Sequence, residues 1–323
     1  MDFLPLAQAQ PGPNYREIID NLARTPLSQV VAFVVVLSVI RLGLSPILAK
    51  SKPHLRGPGY MLTRLANEIL DAFIYAGVFV FMVIRPFFVQ AFLIPSGSMW
   101  PTLYVNDFIV ANKAIYRFSD PQHGDIVVFR PPVTAVQRSQ DVDADGQVKV
   151  DFIKRCIGIP GDVIEMRDGV LYRNKEALNP DTNHYSECVD TVQNENCENF
   201  RELNEVERKG LTRPNFKLVE YHGEIIPLNS TSTDVNAPAP HRDFSDIGMI
   251  YGVAQKFQFS DQDEARKLLA LPPMPVPKGF YLMMGDNRNG SFDSRGWGLV
   301  PRDSIIGRSE ATWLPLSRLG RTK

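Results

Sequence analysis

Leu93-Ile-Pro-Ser-Gly-Ser-Met-Trp-Pro-Thr-Leu103 is the stretch on which the reading of this chain turns. Apolar segments crowd the residues before it, and short strand-like runs separated by turn residues fill most of the chain after it. The small residues of Pro95-Ser-Gly-Ser98 let backbone and hydroxyls come close to a ligand. Pro95 and Pro101 fix φ on both sides and keep the loop out of a helix. Ser98, presented on such a loop, is a candidate nucleophile. Clusters of serine, glycine and proline are more often ordinary turns, so the assignment depends on what the rest of the chain supplies.

With 323 residues, 44% hydrophobic and 22% charged, the chain has room for one large or two modest domains. A net charge of −1 carries none of the basic excess that marks a nucleic-acid binder. Two apolar runs near the N-terminus, Leu27 to Ala49 and Ala72 to Ile84 with Ile69, Leu70, Phe87 and Phe88 at its flanks, read as membrane spans within 27–49 and 66–88. Their uncharged cores fall short of the ~20 residues a span needs. Arg41, Asp71 and Arg85 would therefore lie near an interface or snorkel to it. A buried core helix is the alternative for each. The polar lead, residues 1–26 with Asp2, Glu17 and Asp20, argues against a cleaved signal peptide.

Lys50, Lys52, Arg56 and Arg64 make the connecting loop, residues 50–65, basic and free of acids, which keeps it cytoplasmic. Everything after residue 90 then lies on the outer side. Cys188 and Cys197, nine residues apart in a polar stretch, suit a small disulfide in an oxidising compartment, while Cys156 in an apolar run reads as a buried thiol. Neither cysteines nor histidines show metal-ligand spacing, so no metal or cofactor is expected.

The outer part reads as mainly β. Phe87 to Ile94 is extended, Phe108 to Ala111 follows an Asn106-Asp107 turn, and Gly124-Asp-Ile-Val-Val-Phe-Arg-Pro-Pro132 is a strand opened by Gly-Asp and closed by prolines. Asp141-Val-Asp-Ala-Asp-Gly146 begins like a calcium loop, but Phe152 stands where the twelfth-position glutamate belongs, so a hairpin turn at Asp145-Gly146 is the better reading. Val148 to Asp162 holds another strand ending in Pro-Gly-Asp, with Lys154 inside it. Residues 166–271 are more polar and read as an inserted subdomain, with strand candidates at Val170 to Tyr172 and Phe216 to Ile226 and a helix-like patch at Asp261 to Leu271. Residues 89–165 and 272–323 make up the main β domain, which resumes at Gly279 to Arg288 and closes with a strand from Ile305 to Trp313.

A serine hydroxyl needs a base to act as a nucleophile at neutral pH. His54 lies in the cytoplasmic loop, and His123, His184, His222 and His241 sit in polar connections. Lys154 instead lies among Phe152, Ile153, Cys156, Ile157 and Ile159, where burial disfavours the ammonium. A neutral Lys154 would accept the Ser98 proton, as in serine-lysine variants of the catalytic triad. Without Ser98, a lysine pointing out of an amphipathic strand would be the plainer reading.

Taken in order, the serine loop, Gly124-Asp-Ile-Val-Val-Phe129, Lys154-Arg155 with Gly158-Ile-Pro-Gly-Asp162, and Gly285-Asp-Asn-Arg288 through Asp293-Ser-Arg295 resemble the motif set of bacterial type I signal peptidases. The resemblance covers residues 92–130, 151–165 and 279–312, and the paired cysteines and two-span topology resemble the Gram-negative form. It implies a mainly β catalytic domain of the signal-peptidase/LexA-like kind, preceded by two N-terminal transmembrane helices. It also implies Ser98 as nucleophile, Lys154 as general base, and the Ser98 N–H and Ser96 hydroxyl as oxyanion donors. Ser291 would orient Lys154, with Asp293 and Arg295 as a supporting ion pair and Arg155 as a shaping residue.

Substrate positions carry over as Ile94, Met99, Leu103, Phe152 and Ile153 on the P1 side and Phe92, Ile109, Val128 and Asp151 on the P3 side. The implied reaction is cleavage of signal peptides from exported preproteins after small residues, in the Ala-X-Ala pattern. The site would lie on the outer face of a cytoplasmic membrane. Preproteins and the lipid bilayer are the implied partners, an export translocon is a further one the topology allows, and the enzyme would be a monomer. Phe87, Phe88, Trp100, Trp297 and Trp313 are candidates to dip into the bilayer, or else core residues. Two alternatives stay open: a specialised serine-lysine maturation peptidase, and an inactive membrane-tethered chaperone for exported proteins.

Overall fold

The computed structural model describes residues 27–50, 57–84, 87–136, 141–143, 145–167, 169–178, 184–189, 197–204, 207, 215–221, 223–230 and 267–322. The polar lead, residues 51–56 of the 50–65 loop and Arg85 lie outside them, as do His54, His222, His241 and residues 261–266 of the helix-like patch. The chain divides into two compact units, Met1–Phe92 and Leu93–Lys323.

The first unit is helical. Helix α1, Leu27–Lys50, is rich in Val, Leu and Ile, with Arg41 and Pro46 inside it. Helix α2, Pro58–Phe79, starts with Pro at its first position, where the missing N–H costs nothing, and continues into a π-helical turn, Val80–Ile84. The helices meet where Gly77 faces Val34 and where Arg41 Nε lies 2.5 Å from Asp71 Oδ1. Phe33, Val36, Val39 and Leu42 of α1 stay exposed, as do Met61, Leu65 and Phe73 of α2. Among the described residues one helix, at Ser28–Pro46, is long and apolar enough to cross a membrane. Helix α2 carries Arg64, Glu68 and Asp71.

Strand β1, Val89–Leu93, straddles the division between the units. The second unit is mainly β, with strands β2 (Phe108–Asn112), β3 (Ile126–Phe129), β4 (Phe152–Gly158), β5 (Ile164–Arg167), β6 (Val170–Arg173) and β7 (Glu176–Ala177) in its first half. Then come β8 (Ser186–Cys188), β9 (Phe200–Glu202), β10 (Asn215–Tyr221), β11 (Glu224–Ser230), β12 (Phe280–Met284), β13 (Val300–Pro301), β14 (Ile305–Leu314) and β15 (Gly320–Arg321). The larger sheet of this unit runs β2, β14, β3, β4, β12, β13, with β15 on β14; the second runs β11, β10, β5, β6, β7; and β8 pairs β9. The pairs within these sheets are antiparallel.

Alternation along β12 shows why the larger sheet is apolar on both faces. Tyr281 and Met283 join a core with Val127, Phe129, Cys156 and Trp297, while Leu282 and Met284 join another with Ile157, Ile164, Met166, Phe216 and Leu218. The second core joins the two sheets, so strands β5, β6 and β10 pack onto the main sheet through Ile164, Met166, Leu171, Phe216 and Leu218. The expected single run Phe216 to Ile226 is two strands, because Gly223 at φ 79° makes the turn between them. The Asp141–Gly146 stretch is a hairpin turn: Val142 bridges Val148, Gly146 has φ 77°, and Asp143 Oδ1 accepts from Gln147 N at 2.7 Å.

Candidate active site

Ser98 sits in a 3-10 turn, Gly97–Met99, entered from Ser96 in extended conformation. The turn is locked by Trp100 N donating to Gly97 O at 3.1 Å and Leu103 N to Met99 O at 2.9 Å. Beyond it, Asp107 is buried and accepts from Tyr104 N at 2.9 Å and from Arg318 Nε at 3.0 Å. A buried carboxylate thus fastens the end of the loop to the C-terminal segment. The loop's stiffness comes from these bonds as much as from its prolines.

Strand β4 delivers Lys154 to the same place. Its Nζ lies 2.8 Å from Ser98 Oγ and donates to Ile153 O at 3.0 Å, with the Phe152 ring centroid 5.5 Å away. Lys154 is 5% exposed, and burial pushes its ammonium down from the ordinary 10.5 to about 8, against the pull of Asp293 and Asp286. Among the described residues, no carboxylate is a hydrogen-bond partner of Lys154. The Ser96 hydroxyl, on an exposed residue, lies 3.3 Å from Ser98 Oγ, on the open side of the turn.

The loop after β12 supplies the surround. Asp293 Oδ2 accepts from Gly285 N at 3.0 Å, and Arg295 Nε and a second guanidinium nitrogen each lie 2.8 Å from that carboxylate. Burial opposes ionisation of Asp293, yet the Arg295 charge and hydrogen bonds outweigh it and hold the carboxyl below its usual value. Gly285 is required here: a Cβ would come within 2.3 Å of Ser291 Oγ and 2.4 Å of Ser98 O.

Ser291 does not bond Lys154 in this arrangement. Its buried hydroxyl lies beside Asp293, whose carboxyl it helps hold low, and among the described residues Lys154 donates to Ser98 and Ile153 instead.

Sequence reasoning gave no role to three neighbours: Thr102, Asp286 and Asn287. Asp286, fully buried, binds Arg155 through Nε at 2.8 Å and a second nitrogen at 2.6 Å, and accepts from Thr102 Oγ1 at 2.6 Å. Arg155 also donates to Gly124 O at 2.9 Å, so one guanidinium ties β4 to the serine loop and to the Gly124 turn. Asn287 Nδ2 donates to Gly97 O at 3.1 Å and its N–H to Ser98 O at 3.2 Å. The signal for Asp286 was present: an acid directly after a glycine in an apolar run has to find a cation when buried.

The expected substrate positions divide by exposure. Ile94, Met99, Leu103, Ile109 and Val128 are buried to 2% or less and offer no free surface, whereas Phe152 and Ile153 are partly exposed and Asp151 is exposed. Phe92 lies in β1, partly exposed. Trp100 and Trp297 are core residues rather than bilayer anchors, at 8% and 3% exposure, and Trp313 packs on Phe108 with centroids 6.0 Å apart. Phe87 and Phe88 remain exposed. Cys188 and Cys197 are joined as a disulfide, and Cys156 is buried and free.

A serine hydroxyl against a dry, acidified amine in a mainly β domain is the arrangement that a serine hydrolase with a lysine base requires. Comparison with known proteins leads to the same class. The family described as "Signal peptidase, peptidase S26" matches residues 66–314. Signal peptidase I of Buchnera aphidicola subsp. Schizaphis graminum is 30% identical over 264 residues, 74% of this chain and 72% of that protein. Signal peptidase I of Aquifex aeolicus is 30% identical over 254 residues, 76% of this chain and 82% of that protein. A crystal structure of a signal peptidase I from Enterococcus faecalis aligns with 59% of this chain and 97% of its own at 21% identity, with a TM-score of 0.26. So loose a superposition carries no weight beside the sequence matches. The chain belongs to the signal peptidase family, peptidase S26; it is a serine endopeptidase, and its activity is that of a signal peptidase I.

Proposed function

We propose that Ser98 and Lys154 carry the reaction on preproteins at a membrane surface. The observation that carries this reading is the 2.8 Å contact between Ser98 Oγ and the buried Lys154 Nζ. With the amine neutral, that contact reverses polarity: the serine O–H donates to the nitrogen lone pair. Oγ then attacks the scissile carbonyl while its proton passes to Nζ, and Lys154 returns a proton to the leaving amine as the C–N bond breaks. Water hydrolyses the resulting ester with Lys154 again as base. The Ser98 N–H and Ser96 hydroxyl would stabilise the oxyanion, and Asp286, Arg155 and Asn287 would hold the loop in register.

The pH dependence tests this directly. Lys154 is inactive as a base while protonated, so kcat/KM for a preprotein should rise with pH and level off above about 8, the value to which burial pushes the amine. A rate that keeps climbing toward ~10.4, where free lysine titrates, sinks the dry-amine mechanism.

We further propose that both N-terminal helices cross the membrane and place the second unit on the outer side. Helix α1 has the length and the exposed apolar surface for this. In α2, Arg64 and Glu68 pair with each other at 2.9 Å within its first turns, at headgroup depth on this reading, and Asp71 is matched by Arg41. The paired charges account for a helix that lacks a long uncharged core. Small residues such as Ala at P1 and P3, and a monomeric enzyme, complete the proposal.

A further inference from the structure

The hairpin β8–β9 lies in the polar region where the sequence offered no chemistry, yet it reaches the serine loop. Phe200 rests its ring on Gly97: a Cβ there would stand 2.2 Å from both Cε2 and Cζ of the ring. Phe200 and His184 also flank Trp100, with ring centroids 6.4 and 6.3 Å from the indole. At the base of the same hairpin, His184 N donates to Asp286 O at 3.0 Å and Arg288 N to His184 O at 2.7 Å. Asn289 and Ser186 exchange two further bonds, of 2.9 and 2.7 Å. One small hairpin therefore contacts both loops that frame Ser98.

We propose that Phe200 is a positioning residue for the peptidase reaction, its ring fixing the Gly97 backbone between Ser96 and Ser98. The inference rests on the reading of Ser98 as nucleophile. Gly97 joins the two hydroxyls whose spacing the oxyanion reading needs; its carbonyl is held by Asn287 Nδ2 and its Cα face by the ring. A glycine without such cover is free to rotate, and the loop would sample geometries in which the two hydroxyls diverge. The ring itself needs an anchor, because a two-stranded ribbon of three residues a side is not stable alone. The Cys188–Cys197 disulfide supplies it, since Cys188 is the register partner of Phe200.

Full-length wild type, Ser98→Ala, Phe200→Ala and Phe200→Leu enzymes in detergent, assayed on a preprotein with an Ala-X-Ala site, test the proposal, with thermal melts giving the folded fraction of each. Phe200→Ala should lose about tenfold or more in kcat with KM little changed, the signature of misplaced reacting groups, and Phe200→Leu should recover part of it. Phe200→Ala at wild-type kcat, with Ser98→Ala dead, overturns this inference alone. So does a loss of rate that the folded fraction accounts for in full. A Ser98→Ala enzyme that still cleaves overturns the underlying reading and this inference with it.

Discussion

Lys154 on β4 and Arg41 on α1 are both cations, one buried and one half-exposed, and their regions treat them oppositely. Lys154 is enclosed by protein and bonded to a hydroxyl and a carbonyl, so burial pushes its ammonium down to about 8 and brings loss of the proton close to neutral pH. Arg41 faces the carboxylate of Asp71 on the neighbouring helix and ties the two helices together. The partner therefore decides whether a cation in an apolar setting becomes a reagent or a strut. The adjacent Arg155 repeats the lesson inside the site, where the buried Asp286 makes it structural although it touches the same loop as Lys154.

The sharpest way to break the comparison is Lys154→Arg, which keeps the charge but removes the ability to become a base. Preprotein cleavage should fall by at least about a thousandfold, as for Ser98→Ala. Appreciable turnover by Lys154→Arg would mean that the base lies elsewhere. Next in size is Ser96→Ala, which should cost ~10²–10³ in kcat if its hydroxyl faces the oxyanion; a loss confined to KM would assign it to substrate binding.

In the helical region, Arg41→Leu leaves Asp71 without its cation and should lower the inserted fraction of α2. Arg41→Leu with Asp71→Leu should restore it. Cysteine-accessibility mapping across the membrane reads the inserted fraction, and equal insertion of all three proteins would leave the pair without a role. The smallest effect expected is thermodynamic: Lys154→Met relieves a buried ammonium at pH 7. A depression from 10.5 to about 8 corresponds to a gain of up to ~3 kcal/mol. Because the folded value is the lower one, that gain should shrink as pH rises from about 8 toward 10.5 and vanish above it.

The mainly β character, the candidate serine and the apolar N-terminus were legible because each is carried by local pattern. Alternation, turn residues and hydrophobic runs act within a few positions of one another. The hairpin at Asp145-Gly146 was equally local. Phe200 was invisible for the opposite reason: a phenylalanine in a polar stretch announces nothing until the fold lays it on Gly97. The expected pocket positions divide into buried and partly exposed residues for a reason the sequence does not carry, since apolar residues beside a site and apolar residues beneath it look alike in a sequence.

From the residues alone came the family, the order of its motifs and the types of group available for chemistry. Tertiary structure alone brought Lys154 within hydrogen-bonding distance of a serine 56 residues earlier, matched Arg41 to Asp71 and left Ser291 without a bond to the amine. Local preference acts over a turn of helix or a pair of strand residues, whereas the meeting of distant side chains depends on which strands and helices pack together. Dryness, which sets the acidity of Lys154, exists only once that packing is complete.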